Sequence, residues 1–184
     1  MSLQNIFKAY DVRGKVGSEL TKEVTTKIGK AFAGWLPSEG PVAVGRDMRP
    51  DSKELAEGII AGLTEQGREV WDIGEVTSDM IYFAVGNFKL AGGVMITASH
   101  NPGEYNGIKF CREEAKPVGE ETGLLEVRDL AEKDVFVAAT AKGSVTEKNI
   151  DEDWVQHVLN FIDEDQLKPL KVAVDAGNGM AGKI

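Results

Sequence analysis

A hydroxyl, an imidazole and a turn signal fall together at Ala98-Ser99-His100-Asn101-Pro102, and a lysine closes the nearby segment Tyr105-Asn-Gly-Ile-Lys109. A serine hydroxyl can act as a nucleophile, while an imidazole and an ammonium can move protons or offset negative charge. The preceding run Ala91-Gly-Gly-Val-Met-Ile-Thr97 is apolar and strand-like. It predicts Ser99 on a loop at the tip of a sheet, with Gly92 and Gly93 permitting close backbone approach. Two readings of these residues stand side by side: a loop nucleophile, or a turn capped by Ser and Asn.

Other chemistries are poorly served. Neighbouring side chains on an extended chain point to opposite sides, which predicts that His100 does not serve Ser99 as an acyl-transfer base. The other histidine, His157, falls on a predicted helix near Trp154 and reads as structural or exposed. The surroundings of Ser99 lack a Gly-x-Ser-x-Gly elbow, so a serine hydrolase is not expected. No paired-cysteine, His-x-x-x-His or calcium-loop spacing points to a metal held by side chains alone. Gly177, Gly179 and Gly182 fit a dinucleotide fingerprint and Gly177 to Lys183 fits most of a phosphate-binding loop. Ile184 stands where that loop needs Ser or Thr, so a glycine-permitted strand-to-helix turn is the expectation.

The elements that must position Ser99 alternate. Phe7 to Gly14 reads as a short strand ending in a turn, and Val24, Ile28, Phe32, Trp35 and Leu36 recur at helical spacing up to Pro37. Pro41 to Asp47 reads as a buried strand, and Asp51 with Glu54 as a capping box that opens a helix through Leu55, Ile59 and Leu63 to Gly67. Glu69 to Ile73 is a strand, Ser78 to about Lys89 a helix, and Gly93 to Thr97 the strand that delivers Ser99. Tyr105 to Cys111 is expected to return beside it and bring Lys109 near, with a helix from Glu120 to Lys133. Ala138 to Lys148 is small and polar and reads as a boundary. Beyond it come a helix carrying Trp154, Val158, Phe161 and Ile162, then a strand at Lys171 to Asp175. The fold class is α/β, with a mixed, largely parallel sheet sandwiched by helices and the first strand of a second similar domain. Residues 1–145 form the first domain, and 146–184 a linking helix and the start of the next.

Composition narrows the partners. With 21 Lys and Arg against 30 Asp and Glu, the formal charge of −9 opposes nucleic acid and anionic membrane. A phosphorylated substrate therefore needs a local basic site, for which His100 and Lys109 are candidates. One cysteine, Cys111, excludes an intramolecular disulfide and suits a reducing, cytoplasmic setting; it is expected to be a buried strand residue. No segment reads as a membrane span.

Thr97-Ala-Ser-His-Asn-Pro102 with Tyr105-Asn-Gly-Ile-Lys109 resembles the active-site signature of the α-D-phosphohexomutases, the phosphomannomutase and phosphoglucomutase superfamily. Phe7 to Gly14, Gly45-Arg-Asp-Met-Arg49, Gly74 to Met80 and Val174 to Gly182 each resemble a further block of that family, in the same order. Its members have four domains, and the chain matches the first and the entrance to the second. The resemblance implies an isomerase that interconverts hexose 1-phosphate and 6-phosphate through a phosphoserine and a bisphosphorylated sugar, with the mannose and glucose branch favoured. It implies that Ser99 carries the phosphoryl group and gives magnesium one ligand through its phosphate. Lys109 and His100 would handle protons and charge, Arg13 would lie close to the phosphoserine, and Tyr10 and Asn101 would line the site. Arg46 and Asp47 are assigned to its support, or to an ion pair or turn at a strand end. The family's Asp-Gly-Asp magnesium loop, sugar-recognition segment and terminal phosphate-binding domain have no counterpart here. The expectation is that these residues alone are catalytically silent and self-associate through uncovered apolar surface. The alternative is a non-catalytic phosphosugar-binding or interaction module.

Overall fold

In chain order the computed structural model, which describes residues 2–137 and 139–183, begins β1 (Val12–Lys15), α1 (Lys22–Trp35), β2 (Val42–Arg46), α2 (Ser52–Glu65), β3 (Val70–Glu75) and α3 (Ser78–Asn87). It continues β4 (Gly92–Ile96), β5 (Tyr105–Arg112), β6 (Lys116–Pro117), α4 (Leu124–Lys133), β7 (Val145–Glu147) and α5 (Asp151–Leu159). The strands form one mixed sheet ordered β1-β5-β4-β2-β3-β7, with β6 paired to β5. Its parallel pairings, β4 with β2, β2 with β3 and β3 with β7, occupy one half. The antiparallel pairings of β5 with β1, β4 and β6 occupy the other, so the parallel share is smaller than the sequence leads one to expect.

Helices cover both faces. Val12, Val44, Val94, Ile96, Ile108 and Phe110 pack against Ile28 and Phe32 of α1, Leu55, Ile59 and Leu63 of α2, and Leu124 and Val127 of α4. On the opposite face, Ala43, Met95 and Cys111 meet Met80, Ile81 and Val85 of α3, with Trp154 of α5 packed alongside. Strand β4 is buried on both faces along its whole length, as a central strand covered by helices must be. Among the described residues no helix is long and apolar enough to cross a membrane.

Several local expectations are corrected. The strand read from Phe7 begins at Val12, because Lys8 to Asp11 close a turn through the Lys8 amide and the Asp11 carbonyl at 2.8 Å. Asp51 precedes α2 without a side-chain cap, so the expected capping box does not form. The helix read from Glu120 starts as a 3-10 turn, Glu120–Thr122, and becomes α4 only after Gly123, whose φ of +120° breaks the run. The expected boundary contains β7, which finds a free edge on β3; its first residue, Ala138, lies outside the described residues, as does Ile184. Lys171 to Asp175 forms no strand, since no strand pairs with it among the described residues. Leu170, Val172 and Val174 stand exposed there, as does Phe161 after α5.

Candidate active site at the carboxyl ends of the central strands

Strand β4 ends at Ile96 and hands over to a loop whose shape is set from several directions. Asp47 at the end of β2 donates its amide to the Ile96 carbonyl at 2.9 Å, and Thr97 donates its own to Gly107 of β5 at 3.0 Å. The Thr97 hydroxyl then accepts the Ser99 amide at 3.0 Å. Ser99 sits in the left-handed region at φ +54°, a conformation that costs an L-residue on the order of 1 kcal/mol. Both Ser99 and His100 are exposed.

The left-handed turn overturns one expectation. Ser99 Oγ lies 2.9 Å from His100 Nδ1. The rule that neighbours face opposite ways belongs to extended backbone, and Ser99 is not extended. The two groups therefore share a hydrogen bond, and the imidazole is within proton-transfer reach of the hydroxyl.

Positive charge gathers around this loop on strands β1 and β5. Arg13 donates one guanidinium nitrogen to the Ala98 carbonyl and another to the Asp11 carboxylate. Asp11 also accepts from Lys109 Nζ at 3.1 Å, so one carboxylate ties both cations into a single cluster. The register makes this possible, because Arg13 pairs with Gly107 and Lys109 with Met95. A Cβ at Gly107 would stand 3.0 Å from Arg13 Nε, 2.8 Å from the Thr97 carbonyl and 2.5 Å from that of Val12. Only glycine leaves Arg13 a path across β5 to the serine loop.

Arg49 supplies the other half of the loop's support. Its Nη1 donates to the carbonyls of Pro102 and Tyr105, each at 3.0 Å, and its Nη2 to those of Ser99 at 3.1 Å and Asn101 at 2.6 Å. Asp47 braces it, with Oδ2 3.5 Å from Arg49 Nε and Oδ1 accepting the Arg49 amide at 3.1 Å. The same Oδ1 accepts from Ser52 Oγ at 2.5 Å. Ser52 Oγ in turn accepts from Nδ2 of the buried Asn106 at 2.9 Å. A hydrogen-bonded chain thus links the start of α2 to β5 beneath the loop.

The remaining anticipated residues are placed differently. Asn101 contributes its backbone to the loop, through its amide to Ala98 and its carbonyl to Arg49. Tyr10 is 81% exposed and lines a separate shallow groove with Pro117, Gly119 and Thr122. Arg46 stands 3.7 Å from Asp72 in a polar cleft with Glu75 and Lys148, one strand over from Ser99. Residue type and spacing do not mark Asp11 and Arg49 as site residues, although both lie in segments that carry the family resemblance. Their adjacency to Ser99 is created by strand order, and the signal for Arg49 is its position just past β2, the neighbour of β4.

Magnesium, implied by the resemblance, needs several oxygen ligands. Among the described residues no three His, Cys, Asp or Glu side chains are grouped to hold an ion. The carboxylates beside the loop, Asp11 and Asp47, already serve Arg13, Lys109, Arg49 and Ser52. These residues therefore do not fit a magnesium site complete in itself.

Comparison with known proteins gives the site its context. The family model described as phosphoglucomutase/phosphomannomutase, alpha/beta/alpha domain I, matches residues 4–138. Over 181 residues the chain is 46% identical to a protein named phosphohexose mutases from Xanthomonas campestris pv. campestris, covering 97% of the chain and 40% of that relative. A phosphomannomutase of Vibrio cholerae is 40% identical over 182 residues, with 97% and 39% covered. The crystal structure of a phosphoglucomutase/phosphomannomutase family protein from Burkholderia thailandensis superposes with a TM-score of 0.88 at 31% identity, covering all of this chain and 41% of that one. The chain spans about two fifths of the length of these curated relatives.

Proposed function

The chain belongs to the phosphoglucomutase/phosphomannomutase family, and from that premise we propose that Ser99 is the phosphoryl carrier of a hexose-phosphate mutase acting on mannose or glucose phosphates. The observation that carries this reading is an exposed hydroxyl on a left-handed loop, bonded to an imidazole and bordered by Arg13, Lys109 and Arg49 in a chain of formal charge −9. A phosphoserine adds about −1.5 to −2 charge, so a second phosphorylated group approaches only where cations offset the repulsion. Arg13 and Lys109 provide that offset, and Asp11 keeps the pair in place.

The proposed cycle balances at the serine. A sugar hydroxyl attacks the phosphorus of phosphoserine, the P–Oγ bond breaks and Oγ takes up a proton, leaving a bisphosphorylated sugar. After the sugar turns over, Oγ gives up its proton and attacks the other phosphoryl group, the P–O bond to the sugar breaks, and the leaving sugar oxygen takes up a proton as the serine is phosphorylated again. His100 Nδ1, hydrogen-bonded to the dephosphorylated hydroxyl, takes up and returns its proton, and Lys109 balances charge as the phosphoryl group passes. Magnesium, when bound, would offset charge on the phosphoryl oxygens, taking one ligand from phosphorylated Ser99 and the rest from outside these residues. The 184 residues by themselves are then expected to give no turnover.

In the complete gene product, Ser99→Ala should reduce conversion of mannose 1-phosphate to mannose 6-phosphate by at least about 1,000-fold, on the scale of losing an activated nucleophile. Undiminished conversion would overturn the assignment. Rates on mannose, glucose and glucosamine phosphates in the same assay would decide the substrate, and a clear preference for the amino sugar would defeat the proposed branch.

A further inference from the structure

We infer that Arg49 is the positioning residue that sets the Ser99 loop for phosphoryl transfer, an inference that rests on Ser99 being the carrier. Its guanidinium gathers the carbonyl oxygens of Ser99, Asn101, Pro102 and Tyr105, so one side chain spans the loop from the nucleophile to the start of β5. Arg49 makes no bond to the serine hydroxyl, which is hydrogen-bonded to His100. Its action is on the backbone that carries that hydroxyl.

Two consequences follow from electrostatics. Carbonyl oxygens are the negative ends of peptide dipoles, and any that faced a phosphoryl dianion on Ser99 would repel it. Arg49 draws four of them to itself and adds a full positive charge behind the loop. It also over-determines the left-handed Ser99, whose carbonyl goes to Arg49 while its amide goes to Thr97. Arg49 is itself held, being 16% exposed and braced by Asp47, which is tied through Ser52 to buried Asn106. Lysine cannot substitute, because one ammonium offers three donors from a single point and cannot reach both ends of the loop.

The test is Arg49→Lys, which keeps the charge, with Arg68→Lys as a control at a distant guanidinium. In the 184-residue chain, amide hydrogen exchange at Asn101 and Tyr105 should accelerate about 10- to 100-fold, the equivalent of losing a charged hydrogen bond. Exchange at Val94 and Phe110 in β4 and β5 should stay at the wild-type rate. In the complete gene product, kcat should fall by a similar factor with KM little changed, and the His100 Nδ1 resonance should move as its bond to Ser99 loosens. Unchanged loop exchange, uniform acceleration across the sheet, or an unchanged kcat would each overturn the inference. Loss of the Ser99 assignment has a different signature: Ser99→Ala would then retain turnover while Arg49→Lys still loosened the loop.

Discussion

Two arginines do the same chemical work at opposite ends of the sheet, to different ends. At the amino-terminal end Arg68 donates to the carbonyls of Ala33 at 3.0 Å, Leu36 at 3.1 Å and Ser38 at 2.6 Å, closing the last turn of α1. At the carboxyl-terminal end Arg49 donates to four carbonyls of the Ser99 loop. Arg68 finishes an element that periodic packing already specifies, and its charge suits the negative end of a helix dipole. Arg49 holds a loop that has no periodic hydrogen bonds of its own and contains a left-handed serine. One guanidinium therefore contributes chiefly to stability, and the other to the shape of an exposed loop.

The hardest test of that contrast is at Gly107. Alanine there would push a methyl group against the backbone carbonyls of Val12 and Thr97, which cannot swing aside, and against Arg13 Nε, whose guanidinium is already tied to Ala98 and Asp11. A loss of about 3 kcal/mol is expected, at the upper end for overpacking, because backbone must shift. Urea unfolding would measure it, and the Arg13 side chain should lose its ordered Nε resonance in the variant. A neutral outcome would mean that β1 and β5 tolerate separation, and that the cation cluster is not held by their close approach.

Next in size comes Arg68→Ala, expected to cost about 2 kcal/mol, since it leaves several carbonyls at the end of α1 short of donors. Exchange of the Asn101 and Tyr105 amides should remain at the wild-type rate under native conditions. Loosening of the serine loop by this distant change would erase the distinction between the two ends.

The two ends also differ in how far they can be read from residues alone. Helices α1 and α2 and the buried strands β2 and β4 follow from apolar periodicity, because their burial is repeated along the chain. The Ser99 loop was recognisable by residue type, yet its geometry was not. Spacing rules assume an extended backbone, and Ser99 departs from it through bonds to Thr97 and Arg49. Asp11 and Arg49 acquire their roles only when β1 and β2 take their places beside β5 and β4, which is tertiary information. Tyr10, placed in the site by resemblance, turns outward in a tight loop. Asp51 loses its capping role because its own backbone is already helical, at φ −87° and ψ −11°, rather than extended as a capping residue requires.

The smallest expected effect concerns the second nucleophile on these paired strands, Cys111. It pairs with Gly93 toward the amino-terminal end of β4, fully buried, where burial pushes its thiol from 9.0 up to about 12 despite a hydrogen bond from the Gly93 amide. Above pH 9 the unfolded chain releases this proton while the folded chain keeps it, so the folded state binds more protons and stability falls as pH rises. By pH 10 the loss attributable to Cys111 should be about 1 kcal/mol. Comparing urea midpoints at pH 8 and pH 10 for the wild type and Cys111→Ala isolates it, since any cavity cost of the substitution is present at both values. An equal pH dependence in the two proteins would show that the thiol does not report burial. The expected difference instead separates the two side chains by position: strand β4 starts beside a thiol kept protonated by dry packing and ends at a serine whose hydroxyl is hydrogen-bonded to an exposed imidazole. The same pair of strands thus buries one side chain and exposes the other.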